Sequence, residues 1–166
     1  RSPVLIGHIR KSSGPRPSIV NAHPIPRDGW IFSHNGTIFD HERLPLRKYT
    51  PEGETDSERL FLFLLERIRG KKNLVQLIRA ALQEMRAICD FSSLNFLMSD
   101  GRTFFAYREY KPQCRKRGYR SARELQEYYT LYHKSFPWGT AVSSEPLDRT
   151  QTVSYTHLTL PTNREV

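Results

Sequence analysis

The stretch Trp30-Ile31-Phe32-Ser33-His34-Asn35-Gly36-Thr37-Ile38 decides how this sequence is interpreted. Its first three residues favour a strand, and Asn35-Gly36 readily adopts the positive φ angles of a tight turn. Residues 37–39 can then run back as a second strand. Taken alone, the stretch predicts a β-hairpin, and a purely structural turn is the simplest interpretation because Asn-Gly turns are common.

Further motifs on either side of this turn change its interpretation. Upstream lie residues 7–14 (GHIRKSSG) and the loop Asn21-Ala22-His23-Pro24, and downstream lies 53–58 (GETDSE), just before a strongly apolar helix. In this order, with the His-Asn-Gly turn between them, the motifs resemble the class II glutamine amidotransferases, a family of N-terminal-nucleophile hydrolases. The resemblance extends from about Leu5 to about Thr152 and is nearest to short, stand-alone bacterial members.

The expected fold is α+β. From the residues alone, strands followed by two helices and then more strands suit a layered α+β domain. The resemblance implies the four-layer αββα sandwich of N-terminal-nucleophile hydrolases, here incomplete. We expect one partial domain over residues 1–152. Residues 153–166 resemble the in-frame translation of a sequencing-library adapter and are expected to be non-native; the alternative is a genuine C-terminal strand.

Local patterns predict the individual elements. Val4–Arg10 is rich in β-formers and predicts a buried strand that ends at Arg10. Thr55 or Asp56 is the expected N-cap of a helix that Gly70 ends, and the Thr-x-x-Glu spacing of Thr55 with Glu58 predicts a capping box. A second amphipathic helix is predicted over Leu74–Ile88. Further strands are predicted over residues 91–99, 103–110, 128–134 and 139–144.

Length and composition limit the class of protein. The chain has 166 residues, of which 37% are hydrophobic and 26% charged, so it suits one globular domain. No apolar run approaches the roughly 20 residues of a membrane span, and no signal peptide is visible. Because the first residue is Arg1, we expect an internal fragment that lacks the family's opening segment. Two cysteines without a pairing pattern favour a cytoplasmic protein.

The resemblance assigns catalytic roles to the central turn. Amide hydrolysis requires a nucleophile, a base and donors that stabilise the oxyanion. In this family the nucleophile is an N-terminal cysteine whose α-amine is the base, and the resemblance places Asn35 and Gly36 as the oxyanion hole. Cys89 and Cys114 cannot be N-terminal nucleophiles. We therefore expect the chain as given to be inactive, although the parent protein would hydrolyse glutamine or a related γ-glutamyl amide.

The resemblance also assigns substrate contacts. Arg10 matches the arginine that binds the substrate α-carboxylate, and Asp56 matches the residue that pairs with its α-ammonium group. Simpler roles exist: Arg10 could form a surface salt bridge, and Asp56 could serve only the helix start. His23 and His34 are expected to shape the pocket. No His, Cys or Asp spacing suggests a metal, and we expect no cofactor.

The alternative functions are a non-catalytic domain of the same fold and a nucleic-acid-binding module. The net charge is +9, and basic residues interleaved with tyrosines crowd the region 102–123. Such a segment could bind phosphates and stack on bases, but a solvated loop explains it more simply and no known nucleic-acid motif is present. We therefore expect a small-molecule substrate, with neither a membrane nor a nucleic acid as partner.

Overall fold

The computed structural model describes residues 3–9, 18–112, 121–147 and 157–161, the last of these as backbone only. The helices are α1 (Asp56–Ile68), α2 (Leu74–Ile88) and α3 (Ala122–Tyr128), with short 3-10 turns at Ile19–Asn21 and His41–Arg43. The strands are β1 (Ile25–Arg27), β2 (Trp30–Asn35), β3 (Asn95–Ser99), β4 (Thr103–Tyr107), β5 (Tyr132–Phe136), β6 (Gly139–Ser143) and β7 (His157–Pro161).

Five of these strands form an antiparallel sheet in the order β1-β2-β3-β4-β7, and β5 and β6 form a separate hairpin. The α+β fold with antiparallel sheets is therefore confirmed. None of the helices in the described ranges has the length and apolar character needed to cross a membrane. The strand β7 lies within the segment expected to be non-native; its pairing with β4 does not test that origin, which stays a prediction.

Helix α1 is the centre of the core. The Phe61 ring of α1 stacks on Phe32 of the sheet, with ring centroids 4.9 Å apart. All six residues of Leu60–Leu65 are fully buried, whereas the sequence predicts one apolar face. A helix that is buried on every side belongs to the interior of a core rather than to its surface. Helix α2 has the predicted bounds and contributes the buried residues Ile78, Ala81, Leu82 and Met85.

The start of α1 is only partly as predicted. Thr55 is the N-cap, and its Oγ1 accepts a hydrogen bond from the Glu58 backbone N–H at 3.1 Å. The capping box is not completed, because the Glu58 carboxylate instead accepts from the backbone N–H groups of Glu52 and Gly53, at 2.8 and 2.7 Å. Glu58 therefore anchors the preceding loop to the helix.

The predicted hairpin at Asn35-Gly36 is wrong. The chain reversal that forms a hairpin lies earlier, at Asp28-Gly29, where both φ angles are positive (51° and 80°). Beyond β2 the chain continues beside the same neighbour: Asn35 pairs with Asn95, and Ile38 bridges Phe91. Three residue steps on one side (35 to 38) thus span four on the other (95 to 91), as in a β-bulge. Gly36 therefore lies at a kink in a continuing ladder.

The N-terminal segment is also not as predicted. Residues Val4–Ile9 form no strand, and the side chains of Leu5 and Ile9 are fully exposed (94% and 102%), although Ile6 is buried. A strand requires ladder hydrogen bonds to a neighbour, and no strand in the described ranges pairs with this segment. Arg10, predicted to end the strand, lies outside the described residues.

The strand predicted over 128–134 is wrong in its first part. Tyr128 ends α3, and β5 begins only at Tyr132. A complete capping box explains the helix: Ser121 Oγ accepts from the Glu124 N–H and the Glu124 carboxylate accepts from the Ser121 N–H, both at 3.1 Å. The other predicted strands are confirmed over shorter spans, as β3, β4 and β6.

Candidate active site

Gly36 occupies a position where no side chain fits. A Cβ built there would overlap the Ser93 carbonyl oxygen and lie 2.7 Å from its carbon and 2.8 Å from His34 Nε2. The backbone at Gly36 and the backbone at Ser93 are therefore in direct contact at the kink. A glycine is required here for this close approach, whatever its chemical role.

The segment that carries Ser92 and Ser93 holds the kink from one side. The Ser93 hydroxyl donates to the Asn35 carbonyl at 3.0 Å, and the Ser93 carbonyl lies 3.1 Å from His34 Nε2. Ser92 Oγ accepts from the Thr37 N–H at 2.9 Å, while the Thr37 carbonyl accepts from the Ser92 N–H at 2.8 Å. Every residue of 34–37 except Gly36 is thus bonded to this segment.

The first turn of α1 holds the kink from the other side. Asp56 Oδ2 accepts from the Ile38 N–H at 2.8 Å, and Ser57 Oγ lies 3.0 Å from His34 Nδ1. The residues on both sides of Asn35-Gly36 are therefore tied to α1, His34 through its ring and Ile38 through its backbone N–H.

Four of the six predicted site residues meet at this kink: His34, Asn35, Gly36 and Asp56. His34 is buried, with 3% of its surface exposed, whereas the other three are partly exposed and accessible from solvent. The arrangement can present an amide side chain, a close-approaching backbone and a carboxylate to a small molecule.

His23 lies in a loop that is tied to the segment before α1, because Asn21 Oδ1 accepts from the Glu54 N–H at 3.0 Å and Gly53 packs against the Val20 backbone. The His23 ring stacks on His8, with centroids 4.6 Å apart. Arg10, the predicted carboxylate-binding residue, lies outside the described residues.

Cys89 has the environment of a core residue. It is buried, and its thiol donates a hydrogen bond to the Asp40 carbonyl oxygen at 3.2 Å. Burial raises the pKa of the thiol above its usual value. A raised pKa disfavours the thiolate, which is the nucleophilic form. Cys114 lies outside the described residues.

The described part of the basic segment consists largely of paired charges. Lys111 pairs with Asp90, and Arg123 with Glu127. The Arg108 guanidinium donates to the Tyr129 carbonyl at 2.7 Å. Residues 113–120, which carry most of the remaining excess charge, lie outside the described residues. Among the residues that are described, no group of three or more His, Cys, Asp or Glu side chains could hold a metal ion.

The site residues predicted from the sequence do not include the serines that this site contains. Ser57 is part of the Thr-Asp-Ser-Glu motif, so the motif itself was the available signal. Ser93 lies in an apolar stretch with no motif, and its contact with His34 joins residues 59 positions apart. No local pattern in the sequence could have indicated that contact.

Comparison with known proteins gives consistent matches. A family model described as glutamine amidotransferases class-II matches residues 1–130. An uncharacterized protein of Methanocaldococcus jannaschii is 40% identical over 119 residues, which are 67% of this chain and 33% of that protein. YafJ of Escherichia coli, whose name assigns it provisionally to the glutamine amidotransferases, is 29% identical over 112 residues, 62% of this chain and 44% of its own.

A solved structure is similar as well. The glutamine aminotransferase class-II domain protein of Silicibacter pomeroyi superimposes with a TM-score of 0.58 at 25% identity, over 84% of this chain and 66% of that one. The present chain spans less than half the length of the two sequence relatives.

Proposed function

The chain belongs to the class II glutamine amidotransferases, and we propose that its parent protein hydrolyses the side-chain amide of glutamine or of a related γ-glutamyl compound. The ammonia is released or passed to an acceptor. The observation that carries this proposal is the Asn35-Gly36 kink, which Ser93 and α1 hold from opposite sides beside Asp56.

The proposed reaction proceeds through a thioester. The sulfur of an N-terminal cysteine attacks the amide carbon while the α-amine takes the thiol proton, giving a tetrahedral oxyanion. The Asn35 side-chain amide and the Gly36 N–H donate to that oxygen. The C–N bond then breaks, ammonia leaves with the transferred proton, and water hydrolyses the thioester to the carboxylic acid. Fixed donors are effective here because they need no reorganisation during the reaction.

Substrate binding is proposed for two charged residues. Asp56 would pair with the α-ammonium group while Oδ2 continues to accept from the Ile38 N–H, since a carboxylate has about four acceptor positions. Arg10 would bind the α-carboxylate through paired hydrogen bonds. His23 and His34 would shape the pocket.

We propose that the chain as given does not turn over glutamine. The two cysteines of the sequence are Cys89, which is buried in the core, and Cys114. A cytoplasmic location for the parent is proposed from the two cysteines and their lack of a pairing pattern.

The first test is to sequence the parent DNA across both ends of the reading frame. A start codon followed by a cysteine codon supports the amidase, and a native start without cysteine favours a non-catalytic domain of the same fold. Ammonia release from glutamine is then measured for the complete protein and for Asn35→Ala. Loss of one oxyanion donor should lower kcat by about 100- to 1000-fold. Unchanged turnover in Asn35→Ala would contradict the mechanism.

Nucleic-acid binding, the alternative function that the basic segment 102–123 raises, is tested separately. Because the described basic side chains largely pair with acids or backbone carbonyls, we expect no retention of the chain on single-stranded DNA at low salt. Retention that weakens steeply as salt increases would instead support the nucleic-acid-binding module.

A further inference from the structure

A chain of buried polar groups passes through His34. Ser57 Oγ lies 3.0 Å from His34 Nδ1, and the Ser93 carbonyl oxygen lies 3.1 Å from His34 Nε2. The three residues are 4%, 3% and 0% exposed, in the order Ser57, His34 and Ser93. The proposed reaction uses none of their side chains directly. A buried polar network in which each contact is satisfied confers a unique local geometry.

The chemistry of the groups determines which atom donates at each contact. A carbonyl oxygen only accepts, so His34 Nε2 must carry the hydrogen that it shares with Ser93. In a neutral imidazole the other nitrogen, Nδ1, is then an acceptor, and the Ser57 hydroxyl must donate to it. The Ser93 carbonyl therefore selects the Nε2–H tautomer, and the Ser57 hydroxyl, which can donate, holds the ring in place through Nδ1.

The peptide that His34 holds is the one that contacts Gly36. The Ser93 carbonyl oxygen is the atom that a Cβ at residue 36 would overlap, and the Ser93 hydroxyl donates to the Asn35 carbonyl. A shift of the Ser93 peptide would therefore move both members of the proposed oxyanion hole.

We propose that Ser57 and His34 are positioning residues for the Asn35-Gly36 kink, the proposed oxyanion hole. Ser57 holds the orientation of the His34 ring through Nδ1, and His34 Nε2–H fixes the Ser93 peptide against which Asn35 and Gly36 are placed. The catalytic consequence rests on the proposed function of Asn35 and Gly36. The hydrogen bonds of the His34 ring and the rigidity of the kink do not depend on that function, and both can be measured on this chain.

The first measurement is the ¹⁵N spectrum of the imidazole rings in the unmodified chain, with His34 assigned by its loss in His34→Gln. We expect a single neutral tautomer with Nε2 protonated and Nδ1 bare at neutral pH. A ring protonated on Nδ1 alone would overturn the proposal without any variant. In Ser57→Ala the ring should keep this tautomer, because the Ser93 carbonyl still accepts from Nε2–H, but the Nδ1 resonance should shift because its hydrogen bond is lost.

The second measurement is hydrogen exchange at the Thr37 and Ile38 amides, which are bonded to Ser92 and Asp56. In Ser57→Ala they should exchange roughly tenfold faster, as expected for the loss of one buried hydrogen bond, while the amides of α2 stay unchanged. His34→Gln carries an amide nitrogen near the former Nε2, so the Thr37 and Ile38 amides should exchange as slowly as in the wild type. The shorter side chain of His34→Asn cannot reach Ser93, so these amides should exchange faster.

The matched control is Ser135→Ala, which removes an exposed serine that also contacts a histidine, His133, at 3.4 Å. It should leave the spectrum of His34 and the exchange at Thr37 and Ile38 unchanged. Equal exchange in the Gln and Asn variants of His34, or an unaltered His34 spectrum in Ser57→Ala, would overturn the proposal.

The activity of the complete protein distinguishes a failure of the positioning role from a failure of the proposed function. We expect Ser57→Ala to lower kcat about tenfold with little change in KM, because the change affects donors to the transition state. If the complete protein hydrolyses glutamine and this variant retains full kcat, the positioning role is wrong. If the complete protein shows no hydrolysis, the proposed function fails, and the spectra and exchange rates still decide whether Ser57 and His34 fix the turn.

Discussion

The backbone N–H of Ile38 donates a hydrogen bond to Asp56 Oδ2 at 2.8 Å, so the first residue of α1 is bonded to the chain two residues beyond Gly36. The carboxylate therefore has a role in the fold in addition to the ligand-binding role proposed for it. The two roles need different properties of the side chain. The fold requires an acceptor oxygen, whereas binding an ammonium group requires the negative charge.

Substitutions at Asp56 should separate these roles. Asp56→Asn keeps an acceptor for Ile38 and should change the free energy of unfolding by less than about 0.5 kcal/mol. Asp56→Ala loses the acceptor and should cost about 1–2 kcal/mol more. Both should abolish glutamine binding by the complete protein in calorimetry. The control is Glu54→Gln, which removes an exposed charge two residues away; if it weakens binding equally, the effect is general electrostatics.

Gly36→Ala should be strongly destabilising. The new Cβ would meet main-chain atoms of Ser93, which cannot move aside as a flexible side chain could. We expect a loss of about 1–3 kcal/mol in urea unfolding, the usual cost of overpacking. Gly139→Ala is the matched control, because a Cβ there meets nothing within 4 Å. Equal stability of the two variants would mean that the chain does not approach Ser93 closely at residue 36.

Glu66 should make stability depend on pH. Its Oε1 accepts from the backbone N–H groups of Lys48, Arg47 and Tyr49, at 2.6, 2.7 and 3.2 Å. Burial alone would raise the pKa of Glu66, but these donors together lower it below its ordinary value of 4.5. The contribution is therefore fully present above about pH 4.5 and is lost as the pH falls through the folded-state pKa.

The measurement is urea unfolding of the wild type and of Glu66→Gln at a series of pH values from neutral to acidic. The stability difference between them should be constant near neutral pH and should shrink in the acidic range. A difference that does not change with pH would show that the carboxylate charge is irrelevant to the loop contacts.

Cys89 should be unreactive in the folded protein. Its thiol is buried and has a raised pKa, so both access and thiolate population are low. In a Cys114→Ser background we expect iodoacetamide to label Cys89 only after denaturation, as measured by mass spectrometry. Rapid labelling under native conditions would show that the C-terminal end of α2 opens readily.

Local signals in the sequence account for α1 and α2. The Thr55 cap and the 3.6-residue periodicity of Leu74–Ile88 involve neighbours within a few positions, and both predictions are confirmed. Burial of α1 on every side was not predictable, because it depends on chain segments far away in the sequence. The same applies to the kink at Gly36, which exists because residues 91–95 pair with residues 35–38 out of step.

The candidate site was predictable only through the resemblance. The residues alone predict a simple turn at Asn35-Gly36, and only the family motifs indicate that His34, Asn35, Gly36 and Asp56 act together. Ser93 illustrates why the rest was missed. A buried serine acts through its main-chain oxygen as well as its side chain, and a main-chain group leaves no trace in residue identity.

The loop from residue 47 to residue 53 is attached to α1 through its own main chain, because Glu66 and Glu58 accept only from backbone N–H groups there. These hydrogen bonds do not depend on the side chains of the residues whose backbone N–H groups donate. The contacts with Glu66 and Glu58 therefore restrict these positions in one respect: proline lacks an N–H and is unsuitable at residues 47–49, 52 and 53. The chain places Pro51 in the gap between those positions.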